Sequence, residues 1–219
     1  MTGLFFDTET TGIKTRDNPS FVPKLVQLGA ILQDLDTGRV LAEINLLNKD
    51  CGPIPVEASK VHGITEDLTA VAGIDLRLID YVFAHLVAKA DLLVAHNIAY
   101  DLDIVHDNME KSAPFVDETA QFCTMLGCLY IVKAPLSERQ HAFFAAHPEK
   151  MDAPYKVPNL TETFKHFYGK PFEGAHDAMA DIRACRDVFM TLLSDEYYAI
   201  KDGAVIATNK HEQLVGGES

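Results

Sequence analysis

The sequence predicts an α/β fold: a mixed five-stranded sheet, with strands one to three antiparallel and strands four and five parallel, flanked by helices. Two observations carry that expectation. Near the N-terminus, strand-length apolar runs are joined by a turn-forming tripeptide, and beyond them stretches of helical periodicity alternate with short apolar runs.

Gly3 to Phe6 is a short apolar run ending in a charged, Thr-rich segment, as expected of a buried central strand whose C-terminal end opens into a site. Leu25 to Leu35 and Arg39 to Leu47 are strand-like runs separated by Asp36-Thr37-Gly38, residue types that favour a hairpin turn. Ile74 to Lys89 carries Ile74, Leu78, Ile79, Val82, Phe83, Leu86 and Val87 at helical spacing and feeds a strand at Ala90 to Ala95. Asn97 is expected to cap a helix over Ile98 to Lys111, and Phe122 to Met125 reads as the fifth strand. Pro158-Asn159-Leu160 opens a helix that ends near Gly169, and Asp177 to Leu193 forms the last long helix.

Ala134 to Lys156, with prolines around a helical stretch at Ser137 to Ala146, reads as an excursion beside the cleft. From Glu196 onward periodicity is lost, so residues 196–219 read as a frayed tail. The 219 residues suffice for one α/β domain, placed at 1–195.

A composition of 47% hydrophobic and 23% charged residues is that of an ordinary globular chain. The net charge of −13 argues against a broad electrostatic grip on duplex nucleic acid, which needs clustered Lys and Arg. It is compatible with a small footprint on a strand end, where Lys24, Lys60, Lys111, Lys156 and Lys170 are candidate phosphate contacts. Cys51, Cys123, Cys128 and Cys185 form no CxxC pair and read as reduced thiols of a cytoplasmic protein, and no apolar run is long enough for a membrane span.

Three separated segments carry candidate chemistry. Asp7 and Glu9 lie two apart at the end of the first strand, hence on one face of it, and carboxylates on an otherwise apolar strand must be hydrated, paired or metal-bound. His96-Asn97 with Asp101 sits at a strand-to-helix junction, where capping alone is as good a reading as function. His176 and Asp181 straddle the start of the last helix, with Asp177 the better cap and Asp181 one turn further on. Asp103, two helical positions from Asp101, is expected to face elsewhere. Converging carboxylates repel unless divalent cations lie between them, and two cations roughly 3.5–4 Å apart can stabilise both the attacking and the leaving oxygen of a phosphoryl displacement.

In order and company these segments resemble the DEDDh branch of the 3′-to-5′ exonucleases, on the ribonuclease H-like fold. This group includes the proofreading subunit of bacterial replicative polymerases. The resemblance runs from about Gly3 to about Met190, through Asp7-Thr8-Glu9-Thr10-Thr11-Gly12, Glu57, Val61-His62-Gly63-Ile64-Thr65, His96-Asn97 with Asp101, Cys123-Thr124-Met125, Pro158-Asn159-Leu160, and Gly174-Ala175-His176 with Asp181.

It implies that residues 1–195 form an exonuclease domain using Mg²⁺ or Mn²⁺, two per site. Asp7, Glu9 and Asp181 would hold one metal, with Asp7 reaching the second and Asp101 supporting that one through water. His176 would be the general base, a task suited to imidazole. Thr8, Glu57, Val61, His62 and Tyr100 would surround the terminal nucleotide, with Tyr100 standing where the family often has Phe; without the resemblance, His62 reads as a helix-cap or turn histidine before Gly63.

The implied substrate is the 3′ end of single-stranded DNA, with RNA as the rival, and the rival roles are an oligoribonuclease-type or RNA-end-trimming enzyme and a non-catalytic strand-end-binding subunit of a polymerase complex. A polymerase partner or a homodimer is compatible with the sequence and fixed by nothing in it. Lys14 to Lys24 and Ala134 to Lys156 look like additions to the family pattern that border the cleft.

Overall fold

The computed structural model describes residues 1–14, 17–151 and 153–216. Its main sheet has five strands in the order β3-β2-β1-β4-β5, built from β1 (Thr2–Thr10), β2 (Leu25–Asp34), β3 (Val40–Leu47), β4 (Leu92–Ala95) and β5 (Ala120–Cys123). β1 pairs antiparallel with β2, and β2 with β3, whereas β4 runs parallel to both β1 and β5. The expected mixed sheet is therefore present.

β1 runs four residues beyond the expected apolar run because its pairing with β2 continues through Asp7↔Gly29 and Glu9↔Gln27. The two carboxylates are thus on the strand itself. β5 starts two residues earlier than expected, since Ala120 and Gln121 pair with Leu92 and Leu93 while Thr124 already belongs to the next helix.

Alternation along β1 distributes its side chains between two layers. Leu4 and Phe6 join Leu28 and Ala30 against α3 (Leu76–Val87) and α4 (Ile98–Asn108), where Ile79, Phe83, Ile104 and Val105 are buried. Phe5 and Ile31 instead meet α10 (Ala178–Ser194) through Ile182, Cys185 and Phe189. α3 is capped by Asp75, whose side chain accepts from Arg77 N–H. α10 is capped by Asp177, which accepts from Ala180 N–H at 3.0 Å as its sequence position predicts.

Two short helices in a stretch to which the sequence analysis assigns no element, α1 (Val56–His62) and α2 (Glu66–Ala72), follow β3. Each spans under two turns and buries at most one residue, so neither carries the periodicity by which helices are read. The remaining helices are α5 (Ala113–Glu118), α6 (Thr124–Gly127), α7 (Leu129–Val132), α8 (Glu138–Ala146) and α9 (Leu160–Tyr168). α9 is opened by a capping box between Asn159 and Glu162 and ends at Gly169, as expected. Of the excursion, the helical stretch is present as α8, and Lys156 N–H to Ala134 O at 3.1 Å closes its base.

The C-terminal segment is not frayed over its described length. β6 (Tyr198–Lys201) and β7 (Ala204–Ala207) form a hairpin, and α11 (Asn209–Gly216) follows. Asp202 and Gly203 both adopt left-handed backbone (φ 52° and 79°), the geometry of a two-residue hairpin turn, which glycine enters without steric cost. Tyr198 anchors the unit by packing with Cys128, Val188 and Leu192 and donating to Gly127 O at 3.1 Å. The strands are four residues each, too short for an alternation to register; Asp-Gly was the signal available.

No described helix is long and apolar enough to cross a membrane, and all four cysteines are unpaired.

Candidate active site

β1 serves two helices at once because its odd and even residues face opposite ways. Asp7 and Glu9 follow Phe5 onto the α10 side, where Asp181 projects from the first turn of that helix. One carboxylate oxygen from each of Asp7, Glu9 and Asp181 lies within 4.8 Å of the others. Thr8 and Thr10 face α4. There Asp101 accepts from Thr8 N–H at 3.0 Å and from Thr8 Oγ1 at 2.7 Å, wholly inside the protein.

Four carboxyl groups therefore meet around one strand end. None of Asp7, Glu9, Asp101 and Asp181 takes part in an ion pair with a Lys or Arg among the described residues. Burial, reinforced by Asp101, Glu9 and Asp181, pushes the Asp7 carboxyl well above the usual range. Burial and then Asp181 raise Glu9 to about 8. Burial lifts Asp101 to about 7 against the opposing bonds from Thr8, and lifts Asp181 to about 6 against the N–H of His176. Unpartnered acids of this kind are stable as anions only beside a cation, and their hard oxygen donors fit a divalent ion. Asp7, Glu9 and Asp181 are the residues placed to hold one.

His176 is exposed, with its backbone in the left-handed region (φ 73°), and its N–H points to both Asp181 oxygens at 3.3 Å. Sequence position and geometry thus bring the imidazole-bearing loop to the acidic group.

A cleft of about 540 Å³ adjoins the carboxylates. Thr8, Glu57, Val61, His62 and Tyr100, the residues expected around a terminal nucleotide, all line it, with Glu9 on its wall. Thr10, Thr11 and Gly12 of the first motif, to which the sequence analysis assigns no nucleotide contact, line it as well, as do Ile13, Pro55 and Ala58, which lie outside the motifs. The signal for Pro55 and Ala58 was present, since Pro before and Gly63 after delimit α1, and Gly63 takes the left-handed C-cap. Ile13, 66% exposed at the rim, carried no signal beyond an apolar residue after a glycine turn. His62 accepts from Ile64 N–H through Nδ1 at 3.0 Å, so it does act as a turn histidine, and its Nε2 is buried without a hydrogen-bond partner among the described residues.

Several expectations need correction. Asn97 occupies the position before α4 but in left-handed backbone (φ 74°), and its side chain caps nothing. His96 is instead the structural residue of its motif: Nδ1 meets Thr124 Oγ1 at 3.0 Å and Nε2 meets Pro158 O at 3.1 Å, and burial drops its pKa to about 4, so it is neutral. Lys156 is bonded to both Glu162 oxygens at 2.7 and 2.6 Å, which removes it as a phosphate contact. Of the two additions to the family pattern, the first returns to the cleft floor, with Lys24 N–H bonded to Thr11 Oγ1 at 3.0 Å and Phe21 beside Gly12. Thr15 and Arg16 of that addition lie outside the described residues. The described residues of 134–156 do not line the cleft. Asp103 is exposed and apart, as its spacing predicts.

A model of the RNase_T family, described as exonuclease, matches residues 4–189. The chain is 25% identical over 193 residues to DNA polymerase III subunit epsilon of Treponema pallidum, spanning 86% of this chain and 75% of that protein. It is 28% identical over 198 residues to a DNA polymerase III subunit epsilon-like protein of Rhodobacter capsulatus, spanning 88% of this chain but 24% of the relative. Among solved structures, E. coli exonuclease I in complex with a 5cy-dT13 oligonucleotide has a TM-score of 0.63 at 17% identity, over 89% of this chain and 40% of that one. A 3′-exonuclease solved in the context of 3′-end specific recognition of a histone mRNA stem-loop has a TM-score of 0.59 at 12% identity, over 96% and 91% of the two chains. These structural likenesses establish the ribonuclease H-like exonuclease fold.

Proposed function

The chain belongs to the exonuclease family, and from that premise we propose that it removes nucleoside 5′-monophosphates from the 3′ end of single-stranded DNA. The observation that carries this reading is the junction of three mutually close carboxylates with an adjoining cleft of about 540 Å³ that Glu9 shares. An endonuclease would need a through-going groove with positive walls; here the cleft abuts the acids and the chain carries a net charge of −13.

In this reading residues 1–195 are the catalytic unit and the hairpin and α11 are appended to it. The family is divalent-metal dependent, and Mg²⁺ or Mn²⁺, two per site, would supply Lewis-acid stabilisation of the reacting oxygens. Asp7, Glu9 and Asp181 would hold one ion, with Asp7 and Asp101 toward the second. Asp101 is held through Oδ1 by Thr8, so its support is indirect. His176, exposed beside Asp181, takes the proton of the attacking water. Thr8, Glu57, Val61, His62 and Tyr100 surround the terminal nucleotide, the ring of Tyr100 offering a base-stacking face.

DNA is preferred over RNA on the strength of the polymerase III epsilon relatives, and the same relatives make a polymerase the partner to test first. RNA is the second reading, favoured by the likeness to the histone mRNA 3′-exonuclease over 91% of its length. A product ladder from 5′-labelled DNA and RNA strands, with and without chelator, tests polarity, sugar choice and metal need together. Stepwise shortening from the 3′ end that stops with chelator is the expected result, and uncut strands in Mn²⁺ would leave a strand-end-binding module instead.

A further inference from the structure

Both faces of β1 end in functional contacts, yet the α4 face holds a hydrogen-bond network that the proposed chemistry does not use. Tyr100 Oη donates to Gly12 O at 3.0 Å and meets Thr10 Oγ1 at 2.8 Å, and Thr10 Oγ1 lies 2.7 Å from the same Gly12 oxygen. Two hydroxyl protons thus serve three short contacts around one carbonyl.

Its neighbour Asp101 grips Thr8 from the same helix. Consecutive residues of α4 therefore fasten Thr8 and the Thr10–Gly12 turn, and Glu9 lies between the two fastenings. Gly12 in turn stands beside Phe21, at the base of the segment that returns to the cleft. A phenylalanine at position 100 would keep the ring face and lose the fastening.

We infer that Tyr100 is a positioning residue: its hydroxyl clamps the Thr10–Gly12 turn and so fixes the cleft floor and the flank of Glu9 before the terminal nucleotide arrives. The inference rests on reading the cleft as the terminal-nucleotide site. Preorganisation of this kind contributes to affinity by removing the ordering cost from the binding step.

The test uses the full chain. Tyr100→Phe and Thr10→Val are compared with the unaltered protein, singly and together, for binding of dTMP in Mn²⁺ by calorimetry and for KM and kcat on a 5′-labelled oligo-dT. Each single change is expected to weaken dTMP binding roughly 3- to 10-fold, the value of about one neutral hydrogen bond. The loss should fall on KM more than on kcat, and the double change should cost little more than either alone because both dismantle one network. Amide exchange at Gly12 should speed up in both variants without any ligand. Unchanged dTMP affinity and unchanged exchange in Tyr100→Phe overturn the clamp, as would multiplying effects in the double variant. A lower melting temperature with unaltered KM would mark the hydroxyl as merely structural and overturn it too. Failure of the unaltered protein to bind dTMP would overturn the reading of the cleft and the inference together, whereas normal binding by both proteins overturns the inference alone.

Discussion

Asp101 is bonded twice to Thr8, 93 residues away in sequence and directly between Asp7 and Glu9. The pair defines how one strand serves two layers. Thr8 faces α4 and is held there, and that hold presents its neighbours on the opposite face to Asp181. Asp101 thus contributes geometry as well as charge.

Crowded carboxylates make the metal-free protein weaker than its core alone would. Added Mn²⁺ at about 100 times its dissociation constant should stabilise the fold by about 2.7 kcal/mol. That corresponds to a rise in Tm of roughly 5–10 °C for a chain of this size. Asp7→Asn should raise the Tm of the metal-free protein by removing a carboxyl that folding must either keep protonated or bury charged, and should abolish the gain with Mn²⁺. Thermal melts with and without metal check both, and flat Tm values would contradict the proposed arrangement.

The same groups set a pH dependence. Unfolded, these carboxyls release their protons near pH 4. Folded, Asp181 retains its proton to about 6, Asp101 to about 7 and Glu9 to about 8, with Asp7 also raised. Between those limits the folded state binds more protons than the unfolded one. The contribution of these groups is therefore fully present below about pH 4 and is lost as pH rises through about 6 to 8. Chemical denaturation in EDTA from pH 5 to 8.5 should show falling stability, and Mg²⁺ should flatten or reverse the trend. Rising stability in EDTA over this range would refute the raised pKa values.

His176 donates to Asp181 through its backbone N–H, a donor that alanine at this position retains. His176→Ala should accordingly lower kcat by roughly 10²- to 10⁴-fold, the usual value of a general base. The Tm gain with Mn²⁺ should persist. Loss of that gain would show that the imidazole is a metal ligand instead.

The C-terminal hairpin should count toward the stability of the whole chain. Tyr198→Ala removes a buried ring and its bond to Gly127, at a cost of about 3–5 kcal/mol. The melting midpoint should fall by roughly 6 °C or more. An unchanged midpoint would mean that this segment melts independently.

Strands one to four, the long helices and the Asp7–Glu9 pair were legible because each is written in a local pattern: apolar runs, 3.6-residue spacing, or paired acids at a strand end; Asp101 and Asp181 stood out only through the order of the motifs and the family they resemble. What escaped depended on tertiary context. α1 and α2 are too short to show a period, and the left-handed backbone of Asn97 is imposed by the tight passage from β4 into α4. The value of His96 lies in Thr124 and Pro158, 28 and 62 residues distant. For the tail, Asp202-Gly203 was a readable turn, but the apolar side it covers belongs to α10 and α7 and appears only in three dimensions. The facing of Thr8 and Thr10 toward α4 follows from strand parity once β1 is known to reach Thr10.

Gly29 is paired with Asp7 across β1 and β2, and a methyl group there would stand 2.5 Å from Ile182 Cδ1 and 3.1 Å from the sulfur of Met179. The missing side chain at position 29 is therefore what lets Ile182 and Met179 seat α10 against the sheet beside Asp7. A mutational scan scored on turnover would register Gly29→Ala as a graded loss, set by how far the ends of Ile182 and Met179 can give way, although position 29 offers no proton, charge or ligand atom to any substrate.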